Sequence, residues 1–402
     1  MTTTDRKQAA SLQPLAINGG EAVAYAMRQI DPEVVAAYPI TPQTFIIEKF
    51  SEYVAGGLVN TEYINVESEH AALSACVGAS TAGGRAVTAT SGPGLALMFE
   101  ILGVTSGMRL PVVMHLCSRA LSAPINILCD HSDAMAIRDQ SWVMMFGADP
   151  QEAYDQALIA HTIAEHPDVR LPFANVLDGF TVTHSVERVD VLPDEAAKEF
   201  VGEYEPEVWA LQPGGGATFG GLDANDFYFE HKRQQVEAME NALHIAEMQL
   251  EAFAEISGRR YSAVESYRLE DAEVALVVLG SSAGMVRAAV DEERQKGIRA
   301  GMLRLRLFRP FPAKAVRAAL ASVRAVGVLD RAISYGAPGN ALLQDIVAAT
   351  RTMPNHPQVM GFVYGLGGRA TPKQEFREAI SHVAKVLESE VEPAAPVYLG
   401  LR

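Results

Sequence analysis

The sequence predicts an α/β protein built from two open parallel-sheet domains, and three observations carry that expectation. Residues 63–105 read strand, helix, strand, helix, with turns only a few residues long. Residues 274–389 repeat the alternation through four βα units, which specify a small parallel sheet. Between these stretches, residues 206–221 are rich in Gly and Pro, and residues 225–257 read as one long helix that would bridge the halves. At 402 residues the chain is too long for a single core. The expected division is 1–14 without fixed structure, 15–222 as a first domain, 223–260 as a bridging helix and 261–402 as a second domain.

Taken in order, residues 1–13 are polar and lack an apolar signal core, which fits a cytoplasmic protein. Residues 15–17 suit a short strand. Asn18-Gly19-Gly20 turns into a helix over about 21–30, with Ala22, Val23, Ala26, Met27 and Ile30 as its apolar stripe. Residues 34–38 form a strand that stops at Pro39. Pro39-Ile40-Thr41-Pro42 fixes the backbone direction twice, with Thr41 as the cap and Pro42 as the first residue of a helix running to Val54. Residues 63–66 are a strand, and Ser68 stands where an N-cap would. Residues 70–82 form a small-residue helix, 85–90 a strand, and Ser91-Gly92-Pro93-Gly94 a turn before a helix over 95–105. Residues 111–116 are a buried strand ending at Cys117-Ser118-Arg119. Residues 153–165 read as an amphipathic helix and 172–177 as a strand. In the second half the strands are 274–279, 300–307, 325–329 and 359–365. The helices run from Gly280-Ser281-Ser282 to about 296, then 313–321, 341–350 and 372–389.

Composition excludes several functions. A net charge of -16 argues against a nucleic-acid or anionic-membrane surface. No run of eighteen apolar residues exists, so no transmembrane helix is expected. Cys76, Cys117 and Cys129 show no C-x-x-C spacing and suit a reducing compartment, and three thiols fall short of the four needed for an ordinary 4Fe–4S cluster. Gly214-Gly215-Gly216 lacks the Lys-Ser/Thr ending of a phosphate loop. Gly280-Ser281-Ser282-Ala283-Gly284 has two glycines where a dinucleotide fingerprint needs three, so nicotinamide binding is rejected.

Parallel sheets place ligands at the carboxyl ends of their strands. Glu69, Ser91 and Arg119 stand at such ends, with Thr41 on the loop after residues 34–38. A glutamate in a first helical turn ordinarily complements the helix dipole. The small neighbours Ala71, Ala72, Ser74, Ala75 and Cys76 instead suggest close packing that would desolvate Glu69. Glu67, two residues earlier, would share a side with Glu69 on an extended segment and is expected to be structural. Arg119 could form a surface salt bridge, or its fork could grip a carboxylate. Ser118 or Ser91 with His131 and Asp133 could suggest a serine hydrolase, but there is no G-x-S-x-G elbow.

Tyr38-Pro39-Ile40-Thr41-Pro42, Glu67-Ser68-Glu69-His70-Ala71-Ala72 and Thr90-Ser91-Gly92-Pro93-Gly94 together resemble the α subunit of 2-oxoacid:ferredoxin oxidoreductases, and most of all the pyruvate enzymes. The resemblance continues through Ser118-Arg119-Ala120-Leu121-Ser122, Asp130-His131-Ser132-Asp133, Arg138-Asp139, Arg306-x-x-Arg309-Pro310-Phe311-Pro312, Leu329-Asp330-Arg331 and Tyr364-Gly365-Leu366-Gly367-Gly368-Arg369. It implies a pyrimidine-type thiamine-diphosphate-binding domain followed by a smaller transketolase-C-terminal-like α/β domain. It also implies catalytic roles for Glu69, Thr41 and Arg119. Glu69 would hydrogen-bond the cofactor's aminopyrimidine ring and favour the tautomer whose exocyclic nitrogen activates it. Pro39, Ile40, Ser91 and Gly92 would also contact the cofactor, and Thr41 and Arg119 would bind the substrate carboxylate. Asp130-His131-Ser132-Asp133 and Arg138-Asp139 would shape the cleft, and no metal is expected on this chain.

The same resemblance implies an enzyme active only as a complex in the cytoplasm, a dimer of heteromers. A β subunit would hold the diphosphate, Mg²⁺ and an iron–sulfur cluster. Further γ and ferredoxin-like δ subunits or domains would carry electrons to ferredoxin, with coenzyme A as co-substrate. Cys129 stands where the family has Gly, and Gln43 where it has Ser. Ser91-Gly92-Pro93-Gly94 is closer to the 2-oxoglutarate branch, so 2-oxoglutarate, oxalate and branched-chain acids stay open beside pyruvate. A non-catalytic scaffold subunit is the remaining alternative, and Glu69→Ala separates it from the cofactor role.

Overall fold

The computed structural model describes residues 11–387 and 396–402. The first domain runs through β1 (Gln13–Asn18), α1 (Gly19–Ile30), β2 (Val34–Ala37), α2 (Thr44–Ala55), β3 (Glu62–Asn65), α3 (Glu69–Thr81) and β4 (Ala86–Thr90). It continues through α4 (Gly92–Leu97), α5 (Phe99–Gly107), β5 (Val113–Ser118), α6 (Ser132–Ala136), β6 (Val143–Gly147), α7 (Pro150–Ala164), β7 (Phe173–Asp178), β8 (Val186–Val191) and α8 (Asp194–Val201). The long helix is α9 (Tyr228–Ser257). The second domain holds β9 (Val264–Tyr267), β10 (Val274–Leu279), α10 (Ala283–Gln295), β11 (Ala300–Leu305), β12 (Leu307–Arg309), α11 (Ala313–Ala319), β13 (Ala325–Asp330), α12 (Ala341–Thr350), β14 (Gln358–Val363), α13 (Lys373–Val386) and β15 (Val397–Tyr398).

The expected parallel sheets are present. The first has the order β12-β6-β7-β5-β4-β2-β3, and the six strands from β6 to β3 are parallel. Helices cover both faces, so strands such as β4 and β5 are buried along their whole length. β3 lies on one side of β2 and every later strand on the other, which makes the β2/β4 boundary the topological switch point. Open sheets of this kind bind ligands at that crevice. The second sheet, β15-β14-β13-β10-β11-β9, has the four expected parallel strands at its centre and β9 antiparallel at one edge.

Several elements differ from expectation. β1 begins at Gln13, inside the stretch expected to lack structure; residues 1–10 of that stretch lie outside the described residues. β1 also stands apart from the main sheet and pairs antiparallel with β8. The helix after the Pro-Ile-Thr-Pro turn starts at Thr44, with Gln43 rather than Thr41 at the cap position. The helix expected over 95–105 is two helices divided at Met98. The last helix ends at Val386, and residues 388–389 of its expected span lie outside the described residues. β6, β8 and α8 had no clear sequence signal. α7 is buried nearly all round rather than amphipathic, because α1 and α9 both pack against it. α9 lies on the first domain through Ala238, Ala242, Ile245, Ala246, Leu250 and Phe253, while Val236 is exposed. No helix among the described residues is long and apolar enough to cross a membrane.

The domains are joined intimately. The strand expected over 300–307 bends at Arg306, and β12 leaves its own sheet to pair antiparallel with β6. One apolar cluster runs through both domains, with Phe146 edge-on to Phe308 at 5.7 Å between ring centroids. Charges cross the same boundary. Glu152 on α7 takes Arg304, and also Arg306 at 2.8 Å; burial alone would push its carboxyl up, but the two guanidiniums hold it down at about 2. Asp178, at the end of β7, accepts from Arg331 at 3.0 Å and from the Ser281 hydroxyl at 2.5 Å. Several residues of the family-like motifs therefore serve this joint.

Candidate active site

The switch point gathers the loop after β2, the start of α3, the turn after β4 and the end of β5. Ser68 caps α3 as expected, its hydroxyl accepting from Ala71 N at 3.2 Å. The cap turns Glu69 inward, so that it is 6% exposed, whereas Glu67 points outward and does not share its side. Among the described residues the Glu69 carboxylate makes no hydrogen bond or ion pair. It lies over Gly94. A Cβ there would stand 2.5 Å from Glu69 Oε1 and 2.7 Å from Thr90 Oγ1, so only glycine leaves this space free.

Arg119 follows β5 and is 5% exposed. Burial lowers the pKa of its guanidinium, opposed by the charges of Asp133 and Glu69. Its Nη1 donates to the Thr41 carbonyl at 2.7 Å, and its buried Nε has no partner among the described residues. No carboxylate among the described residues pairs with it. The structure thus brings Thr41 and Arg119 together through the Thr41 backbone. The Thr41 hydroxyl has no hydrogen bond among the described residues. Pro39 is exposed and Ile40 half-buried on the same loop.

Ser91 is fully buried, and its hydroxyl has no partner among the described residues. Gly92 has φ +43, and a Cβ on it would meet Arg119 Cγ at 2.6 Å. Its amide already donates to Asp133 Oδ2 at 2.9 Å, so what Gly92 offers a ligand is closeness of approach rather than a free donor.

Three further contributors lie in stretches that the sequence singled out without giving them a contact in the site. Asp133 ties the site together, because its carboxylate accepts from Gly92 N, Arg119 N and the Ser118 hydroxyl. Burial pushes its carboxyl up to about 6, against those donors. Gln43 donates to Ala89 O at 2.9 Å and to Tyr38 O at 3.3 Å, stitching the loop after β2 to β4. Thr90 is the third, buried with a bare hydroxyl. The Asp-His-Ser-Asp motif marks Asp133 as a residue that shapes the cleft, Gln43 stands out only as a departure from Ser, and Thr90 only as the first residue of the Thr-Ser-Gly-Pro-Gly motif.

A serine-hydrolase arrangement is not formed. His131 Nε2 is 2.8 Å from Asp178 and serves the domain joint, while Ser118 bonds Asp133. Cys129, His131 and Asp178 have ligand-capable atoms within 4.8 Å of one another. However, burial would raise the Asp178 carboxyl, and His131 and Arg331 instead hold it well below the usual carboxylate range. A guanidinium already neutralises that group, which is a poor place for a cation.

Comparison with known proteins agrees with the geometry. Residues 25–250 match the thiamine diphosphate-binding domain of pyruvate flavodoxin/ferredoxin oxidoreductases, and residues 272–390 match pyruvate:ferredoxin oxidoreductase core domain II. The chain is 49% identical to pyruvate synthase subunit PorA of Thermotoga maritima over 97% of this chain and 99% of that one. It is 42% identical to the same-named subunit of Methanocaldococcus jannaschii, over 96% and 97%. The α subunit of an NADH-dependent phenylglyoxylate dehydrogenase from Aromatoleum evansii is 34% identical, over 95% and 94%. In fold, the chain resembles a 2-oxoglutarate:ferredoxin oxidoreductase from Magnetococcus marinus, with TM-score 0.72 at 20% identity, covering 95% of this chain and 68% of that one. It also resembles a split-gene transketolase, with TM-score 0.56 at 13% identity, covering 92% and 99%. The parallel-sheet fold, the site at its switch point and matches spanning almost the whole chain lead to one conclusion: the protein belongs to the pyruvate flavodoxin/ferredoxin oxidoreductase family.

Proposed function

We propose that this chain is the thiamine-diphosphate-binding α subunit of a CoA-acylating pyruvate:ferredoxin oxidoreductase. The reaction interconverts pyruvate and coenzyme A with acetyl-CoA, CO₂, a proton and an electron pair, the electrons leaving singly for ferredoxin. One observation carries the reading. Among the described residues Glu69, only 6% exposed, has no hydrogen-bond or ion-pair partner for its carboxylate, and the buried Arg119, with a bare Nε, has no counter-carboxylate; both stand at the sheet's switch point. Such groups are costly unless a ligand completes them.

The residues present fit thiamine diphosphate. Glu69 offers an acceptor or shared proton to a ring nitrogen, and Gly94 keeps the space over it clear. Ser91, Gly92, Pro39 and Ile40 would line the ring. When bound, the cofactor supplies the nucleophilic carbon and the electron sink for decarboxylation. Arg119, with Thr41, would hold the oxoacid carboxylate, the guanidinium fork giving bidentate orientation. The chain's near-complete match to proteins named as subunits supports an assembly with other chains. In that reading a β subunit brings the diphosphate and Mg²⁺ site and an iron–sulfur cluster. γ and ferredoxin-like δ subunits or domains relay electrons, in the cytoplasm, within a dimer of heteromers.

The test uses the native complex, purified anaerobically through a tag on this chain. Pyruvate with coenzyme A is expected to bleach its broad iron–sulfur absorption, and Glu69→Ala to abolish bleaching without preventing assembly. Bleaching with 2-oxoglutarate but not pyruvate would move the substrate. An active Glu69→Ala complex would make this chain a scaffold.

A further inference from the structure

Thr90 ends β4 and is wholly buried, and no atom of the described residues bonds its hydroxyl. Along β4, Ala86 packs on the α3 side of the sheet, while Val87 and Ala89 belong to the core of the other face. Strand alternation therefore turns Thr88 and Thr90 toward α3. Thr88 also has a bare, buried hydroxyl, but it sits one pleat deeper, beneath the body of the helix. Thr90 lies at the strand's carboxyl end, where α3 begins. Its Oγ1 and Glu69 Oε1 flank one spot, 2.7 and 2.5 Å from the point a Cβ of Gly94 would occupy. Each remains without a hydrogen bond among the described residues. A bare donor and a bare acceptor side by side, at a switch point, are the two halves of a site for a planar ring carrying both kinds of group.

We infer that the Thr90 hydroxyl is a second hydrogen-bonding group, beside Glu69, for the heterocyclic ring of the cofactor. The inference rests on the proposed thiamine diphosphate site. It adds a residue whose removal leaves the packing nearly unchanged, since valine has threonine's shape without the hydroxyl.

The experiment uses the complex purified through this chain and freed of cofactor by chelation and gel filtration. Thermal unfolding of the apo complex and the Kd for thiamine diphosphate with Mg²⁺ are measured for wild type, Thr90→Val, Thr88→Val and Glu69→Ala. Thr90→Val is expected to raise the apo unfolding midpoint, because it removes a stranded polar group, and to weaken cofactor binding about fivefold to tenfold. Thr88→Val should raise the midpoint and leave Kd unchanged. A Thr90→Val Kd within twofold of wild type, with Glu69→Ala clearly weakened, overturns the role of Thr90 and leaves the site standing. An unchanged Kd in Glu69→Ala removes the site itself. If Thr90→Val does not assemble, Thr90→Ser and Thr90→Ala take its place. Serine should keep the wild-type Kd and alanine should lose it, and equal values overturn the inference.

Discussion

Gly94→Ala should separate activity from stability. Gly94 lies inside α4 and has no positive φ, so alanine can adopt its backbone. Better helix propensity and a stiffer unfolded chain favour the variant by about 1 kcal/mol. Against this, the new Cβ would stand 2.5 Å from Glu69 Oε1 and 2.8 Å from Glu69 Cγ. Ordinary contact begins near ~3.5 Å, and overpacking of this kind costs about 1–3 kcal/mol. The net loss is therefore at most about 2 kcal/mol, a shift of a few degrees in Tm. The cheapest relief is displacement of the Glu69 side chain by roughly 1 Å, and misplacement on that scale costs about 100-fold in rate. Melting by circular dichroism and pyruvate-dependent reduction of a viologen dye would measure the two effects. A variant that melts normally and keeps activity within twofold would refute the claim that Gly94 exists to seat Glu69.

Arg119→Lys retains charge but loses the fork and the bond to Thr41. The KM for the oxoacid should rise about 10-fold or more, with a smaller change in kcat; an unchanged KM counts against carboxylate binding. Glu152→Ala removes the closer of the two carboxylates that Arg304 and Arg306 share and leaves them Glu265 at 3.3 Å, so unfolding free energy should drop by about 1.5–3 kcal/mol in denaturant melts; a loss below about 1 kcal/mol would show that the joint does not depend on this ion pair. For Asp133, burial raises the carboxyl from 3.8 to about 6. A raised folded value gives stability that is fully present below 3.8 and lost as pH rises through about 6. Wild type should therefore lose stability relative to Asp133→Asn across that window, and a flat difference would refute the assignment.

Much of the fold could be read from the sequence where strands are buried on both faces. β10 is VALVVL, an uninterrupted apolar run, and its bounds are those expected. β6 (VMMFG) escaped because methionine and glycine carry little strand preference, and only its place between β7 and β12 makes it a strand. α7 misled for a related reason. Periodicity registers a helix's polar residues, but not that Arg304, Arg306 and Arg259 arrive from elsewhere to cover Glu152 and Asp155. At the site, the motifs located Glu69, Arg119 and Thr41 together. They could not say that Arg119 holds the Thr41 carbonyl, or that Gly94 faces Glu69, because both depend on where separate loops meet.

The excursion of β12 bears on how this chain can be cut. A fragment ending after α9 would contain every part of the candidate site, yet it would bare the outer edge of β6, whose five residues are all buried in the intact chain. Such an open apolar edge recruits other strands, so the fragment should self-associate rather than remain a tidy half. Supplying the remaining piece as a separate polypeptide should cure this, since its three-residue strand would cap the edge. The intact chain should accordingly melt in a single calorimetric transition, despite having two sheets.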